Sequence, residues 1–128
     1  YQPGEFGEFL SGQVDYVADA IDDTQAKVDL LAQCVQHHVP VISAMGTGNK
    51  LAPEELCFAD ISATQGCPLA RSVRQKLRKL GIERGVMVVY SEEQPLKVVG
   101  VTPGSMVFVP ATAGLMMASY IVRKLLEM

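Results

Sequence analysis

Three carboxylates, Asp19, Asp22 and Asp23, cluster at the end of an apolar run from Val14 to Ile21. The run reads as a short buried strand, so the acids fall at its carboxyl end. In open α/β sheets that end faces the crevice where ligands bind. A carboxylate placed there can hold Mg²⁺ on a nucleotide. The same side chains also suit the start of a helix, where Asp accepts backbone N–H bonds without any ligand. Spacing alone leaves both roles open and leans towards the cap.

A second cluster is basic. Arg71, Arg74, Lys76, Arg78, Lys79 and Arg84 place six of the chain's eleven positive charges within fourteen residues, against one acid, Glu83. Arg71, Arg74 and Arg78 recur at i, i+3 and i+7, so one helical stripe can carry all three guanidiniums. Such a stripe can meet a phosphate backbone, and it can equally be a solvated outer face. Net charge is −3, and seven of the fourteen acids lie in residues 1–30. The total therefore does not announce a nucleic-acid binder, yet the clustering remains compatible with one.

Other reactive types carry less. Cys67 precedes the basic stretch, and a thiol at a helix start one turn from Arg71 would be acidified and nucleophilic. Its other reading is a small residue in a turn. Cys34 sits on an apolar helix face, and Cys57 in a candidate strand. His37 and His38 close a helix, where imidazole interacts well with the dipole. Met116 and Met117 belong to an apolar helix. No Ser/His/Asp arrangement and no glycine-rich phosphate loop occurs. Gly46-Thr47-Gly48-Asn49-Lys50 reads as a turn or as a mobile loop lining a crevice.

The elements that must position these residues follow from periodicity. Residues 25–38 repeat apolar side chains at Val28, Leu31, Ala32 and Val35 and predict a helix. Strands are expected over 39–44, 56–61, 86–90 and 106–109, a second helix over 68–80 stopped by Gly81, and a last helix over 111–126. Residues 1–13 and 91–102 read as loops. The order β-α-β-β-α-β-β-α indicates an α/β fold with a partly parallel sheet. The chain has 128 residues, 48% hydrophobic and 20% charged, which suits one globular domain. Three cysteines without a CxxC pair argue against a zinc knuckle and for a reducing, cytoplasmic setting. No signal peptide is visible, and the apolar stretch Met106–Val122 is too short for a membrane span.

Ordered motifs add a resemblance. Asp15-Tyr16-Val17-Ala18-Asp19-Ala20-Ile21-Asp22 with Lys27, then Pro40-Val41-Ile42-Ser43-Ala44-Met45-Gly46-Thr47-Gly48-Asn49-Lys50, resemble the ThiF/MoeB/HesA superfamily of adenylating enzymes. Cys67-Pro68-Leu69-Ala70-Arg71 with Arg74 and Arg78, Val88-Val89-Tyr90-Ser91, Glu93-Gln94-Pro95 and the stretch from Pro103 to Gly114 are similar to its tRNA threonylcarbamoyladenosine dehydratases. The resemblance implies a Rossmann-like mixed sheet flanked by helices, with residues 1–128 as the C-terminal portion of the adenylating fold. It implies ATP and Mg²⁺ as cofactors, Asp22 as catalytic and metal-binding carboxylate, and Asp22 with Lys27 in the nucleotide site. The reaction implied adenylates the carboxylate of threonylcarbamoyladenosine and then closes a ring with loss of AMP. Arg71, Arg74, Arg78 and Lys79 become tRNA contacts. A homodimer and a sulfur-relay or cysteine-desulfurase partner are further expectations.

Family members are much longer and carry a nucleotide loop that these residues lack, so the chain by itself is expected to adenylate nothing. An alternative within the superfamily is an activating enzyme for a ubiquitin-like sulfur carrier, with Cys67 as thiol acceptor. The absence of paired CxxC motifs favours the tRNA branch. A third reading is a binding or dimerisation module without activity.

Overall fold

The computed structural model describes residues 1–48, 50–93 and 107–127. Its sheet is built from β1 (Val17–Asp19), β2 (Val41–Ala44), β3 (Leu56–Asp60) and β4 (Met87–Ser91), in the order β1-β2-β4-β3. The first three neighbours run parallel, with Val17 opposite Val41 and Ile42 opposite Met87. β3 closes the other edge antiparallel, Phe58 opposite Val89. Short 3₁₀ turns at Pro53–Glu55 and Ile61–Ala63 flank β3.

The strand pleat sends alternate side chains to opposite faces. Val88 and Tyr90 join the core beneath α2 (Thr24–Gln36) and α3 (Pro68–Lys79). Ile42 and Val89 face α4 (Phe108–Leu126) on the other side. The result is a three-layer α/β/α arrangement, the mixed sheet flanked by helices that the resemblance implied. A short helix, α1 (Phe6–Phe9), lies in the expected N-terminal loop, because Phe6 is buried and stacks near His37.

Helix ends follow their residues. Asp23 caps α2 by accepting from the Ala26 N–H at 2.9 Å. Pro68 opens α3, where a missing N–H costs nothing. Ala70, Val73 and Leu77 are its buried face. Gly81, at φ 83°, ends it as expected: the Gly81 N–H donates to Arg78 O and the Ile82 N–H to Leu77 O, both at 3.0 Å. α2 ends the same way, but with His38 rather than glycine in the left-handed region, at φ 57°. The Val39 N–H donates to Cys34 O at 2.9 Å, and the His37 ring Nδ1 lies 2.9 Å from Gln33 O.

One expected element is corrected. Residues 107–109 are not a strand: Val107 is in a turn and Phe108 begins α4. Pro110 suggested a break, but at the third helical position its absent N–H would have had no partner. Val109, Ala113 and Met117 are buried at fourfold spacing, which is helical. The strand expected over 14–21 is shorter, Val17–Asp19. Met106 and most of the expected loop over 91–102 lie outside the described residues. Among the described residues, no helix is long and apolar enough to cross a membrane.

Candidate functional site

β1 delivers Asp19 into the core at its carboxyl end, where it is 1% exposed. A buried carboxylate is stable only when paired and hydrogen-bonded. Asp19 Oδ2 accepts from Ser43 Oγ at 2.6 Å and pairs with Lys27 Nζ at 2.9 Å. Its Oδ1 accepts from the Ile21 N–H at 2.9 Å. Lys27 Nζ also donates to Ile21 O at 3.1 Å. Ile21 is thus gripped at both its N–H and its carbonyl, and the turn from Ala20 to Asp22 is fixed.

This corrects the role expected for Lys27. Its ammonium is fully buried and committed to Asp19 and Ile21, so it shapes the turn rather than reaching a ligand. Ser43 is the residue that sequence reasoning missed, and Asp19, one of the three acids it singled out, holds the turn in place. Ser43 lies on a neighbouring strand, and only parallel pairing in register, Asp19 opposite Ser43, brings the two together.

Asp23 performs the capping, which leaves Asp22 exposed and free of that duty. Asp22 borders a cavity of about 530 Å³. The cavity lies between the turn at Ala20–Asp22, the loop Met45–Gly48 after β2, Leu69 of α3, and Pro110, Ala113, Gly114 and Met117 of α4. Asp22 is its one charged lining residue among the described residues. The site sits beyond the carboxyl ends of β1 and β2, the position expected for a ligand crevice. α2 begins at Thr24, two residues after Asp22.

The far side of the same loop is clamped to the end of β4. Lys50, buried, donates from Nζ to Ser91 O at 3.2 Å. The Glu93 carboxylate accepts from the Leu51 and Ala52 N–H groups at 2.8 and 2.9 Å. Those two backbone donors hold its pKa below the usual carboxylate range. The Glu93 N–H in turn donates to Ser91 Oγ at 3.1 Å.

Of the four expected tRNA contacts on α3, Arg71, Arg78 and Lys79 are exposed. Arg74 differs: it is half-buried, and its Nη1 donates to Thr64 O at 2.9 Å and Thr64 Oγ1 at 2.7 Å. It holds the loop before α3, so that part of its guanidinium is not available to a phosphate. Cys67 occupies the N-cap position of α3 but is packed in the core, 4% exposed. Cys34 is buried too, and burial with Asp19 nearby pushes its thiol up to about 11. No group of three or more His, Cys, Asp or Glu side chains suited to a metal occurs among the described residues.

Comparison with known proteins bears on this site. The ThiF family pattern matches residues 3–128. The chain is 38% identical over 144 residues to a tRNA threonylcarbamoyladenosine dehydratase of Bacillus subtilis, covering 99% of this chain and 57% of the relative. It is 44% identical over 94 residues to tRNA threonylcarbamoyladenosine dehydratase 2 of Saccharomyces cerevisiae, covering 73% and 21%. The solved Escherichia coli tRNA N6-threonylcarbamoyladenosine dehydratase in complex with AMP superimposes with a TM-score of 0.91 at 27% identity, over 98% of this chain and 54% of that one. The same enzyme in complex with ATP gives a TM-score of 0.88. The chain therefore spans little more than half of the Bacillus subtilis relative and of the Escherichia coli structure. With the strand order, the crevice and the sequence pattern in agreement, the chain belongs to the ThiF family.

Proposed function

We propose that the chain is the C-terminal portion of an ATP-dependent enzyme that dehydrates threonylcarbamoyladenosine in tRNA by ring closure. The observation that carries the reading is Asp22: an exposed carboxylate, relieved of capping by Asp23, on a rigid turn at the mouth of the strand-end cavity. The names of the relatives and the AMP and ATP held by the Escherichia coli structures support a nucleotide as the ligand.

In this reading the carboxylate of the threonylcarbamoyl group attacks the α-phosphorus of ATP and pyrophosphate leaves. An oxygen or nitrogen of the urea linkage in the same group then attacks the activated carbonyl and closes a five-membered ring; the bond to AMP breaks, AMP departs with the former carboxylate oxygen, and one urea N–H proton is released. Asp22 alone offers one carboxylate, and that fits Mg²⁺, which keeps several waters and takes one or two carboxylates plus phosphate oxygens. Bound there, Mg²⁺ would offset phosphate charge as pyrophosphate departs. Asp19, Lys27 and Ser43 keep the Asp22 turn in place, while Met45–Gly48 and Leu69 wall the site from water. Arg71, Arg78 and Lys79 offer cations to the tRNA backbone. The enzyme works in the cytoplasm as a homodimer. The burial of Cys67 speaks against the sulfur-carrier alternative, which needs an accessible thiol.

The test uses the full-length protein with ATP, Mg²⁺ and bulk tRNA. Digestion and mass spectrometry should find threonylcarbamoyladenosine that has lost one water, and only when ATP is present. Untouched tRNA, together with pyrophosphate release on adding a ubiquitin-like carrier, would overturn the assignment.

A further inference from the structure

Gly114 lies inside α4, where glycine loses more backbone entropy than any other residue and weakens the helix. Nothing in the fold requires it there. Its φ is not positive, so the backbone would accept any L residue. A Cβ built on it would meet no side chain, and no backbone beyond its own helix turns, within 4 Å. Gly46, which borders the same cavity, differs, because its Cβ would touch Leu69 Cβ at 3.5 Å. What Gly114 does border is the cavity of about 530 Å³ beyond the strand ends. From this geometry we propose that Gly114 determines specificity in the reaction proposed above: the space of its missing side chain receives the aliphatic side chain of the threonyl group. The inference rests on that reading of the function.

The polarity of the cavity selects which reactant lies against Gly114. Asp22 and Thr47 bring a carboxylate and a hydroxyl to one side. On the α4 side the lining is Pro110, Ala113, Gly114 and Met117, without a polar side chain. The two sides belong to opposite faces of the sheet: the Asp22 turn leads into α2 on one face, and α4 covers the other. In the proposed reaction a carboxylate oxygen bonds to the α-phosphorus of ATP as the bond to pyrophosphate breaks on the far side of that phosphorus. The carbon skeleton of the attacking acid therefore points away from the departing phosphates. With the phosphates drawn to Asp22, the skeleton points to α4. The threonyl group carries a methyl on its hydroxyl-bearing carbon, and that methyl suits the apolar surface of Ala113 and Met117. Any side chain at 114 would project into the same space. Glycine thus leaves room for the substrate at the expense of helix stability, a local rule broken at a functional position.

The test uses the full-length protein with ATP, Mg²⁺ and two synthetic RNA hairpins. One bears threonylcarbamoyladenosine, the other its glycinylcarbamoyl analogue, which lacks the side chain. Gly114→Ala should raise the thermal unfolding midpoint by about 2–4 °C, the gain of alanine over glycine inside a helix. It should lower kcat/KM for the threonyl hairpin about 10-fold, the scale of one methyl group misfitted in an apolar pocket. The loss on the glycinyl hairpin should stay under about threefold, and KM for ATP within about twofold, since neither needs that space. Gly114→Val should deepen the threonyl loss to about 100-fold. A glycine with only a structural role would not separate the two hairpins. An equal loss on both, a loss carried by KM for ATP, or full activity of Gly114→Val on the threonyl hairpin would overturn the proposal. So would a lower unfolding midpoint in Gly114→Ala, because the added methyl would then meet neighbours and not open space. A wild type that dehydrates neither hairpin would overturn the functional reading itself, and this inference with it.

Discussion

Asp22 and Asp23 are adjacent acids with different work, and substitution should separate them. Asp23 accepts from the Ala26 N–H, so Asp23→Ala should cost about 1 kcal/mol of stability, the typical worth of an N-cap, as read by urea unfolding. Asp22 makes no such bond, so Asp22→Ala should leave unfolding unchanged. In the full-length protein it should lower AMP formation at least about 100-fold, the scale seen when a preorganised electrostatic contact to a reacting phosphate is lost. Near wild-type AMP formation would remove the metal role. Lys27 belongs to a third class. Lys27→Met leaves the buried Asp19 carboxyl without its cation, which should cost about 3–5 kcal/mol by the same unfolding measurement. The sequence placed the acids at the strand end correctly, but it could not divide capping from ligand duty. Both are satisfied by Asp at the same spacing, and only the backbone geometry at Ala26 decides between them. Lys27 misled for a related reason: a lysine near a ligand loop reads as a phosphate partner unless its acid is known to be buried beneath it.

At the scale of elements, α3 shows how a correct helix can still distribute its residues unexpectedly. The periodicity found its buried face and its glycine stop, and it put three arginines on one stripe. It could not see that Arg74 bends back to Thr64, because the loop at Thr64 folds against α3 only through tertiary packing. Arg74→Ala should therefore destabilise the fold by about 1–3 kcal/mol, the cost of leaving a buried Thr64 acceptor without its charged donor. Reversing Arg71 and Arg78 to Glu should leave stability within about 0.5 kcal/mol, as exposed surface changes do. In the full-length protein it should weaken tRNA binding and flatten its dependence on salt, because fewer counterions are then released. Equal binding across a salt titration would return this helix to a solvated face. α2 offers the reverse case, a local rule broken by the sequence. His38 holds a left-handed conformation that glycine adopts without strain, so His38→Gly should raise stability by about 1 kcal/mol in thermal unfolding. The strand expected at 106–109 failed for a local reason, since a proline in the first helical turn and a proline that breaks a strand look alike in sequence.

At the scale of the molecule, the layers were legible and the strand order was not. Each strand announced itself by its apolar run, but the insertion of β4 between β2 and β3 depends on pairings between residues far apart in sequence, which no periodicity records. The same view explains what the cavity lacks. Among the described residues it is lined by one charge, the Asp22 carboxylate, and by no Lys or Arg. ATP brings several negative charges, and Mg²⁺ cancels two of them. A nucleotide triphosphate entering this cavity would therefore meet like charge with no cation among the described residues to answer it, because Lys27 is spent on Asp19 and the arginines of α3 lie on another surface. On the proposed function, basic groups outside the described residues are expected to supply the balance. The purified 128-residue chain, shown to be folded by circular dichroism, should bind Mg²⁺-ATP no more tightly than about 1 mM, roughly the level of −4 kcal/mol, in calorimetric titration. The full-length protein should bind it in the micromolar range under the same conditions. Micromolar binding by the shorter chain would mean that its own residues neutralise the phosphates, and the division of labour argued for Asp22 would have to be redrawn around whichever cation does so.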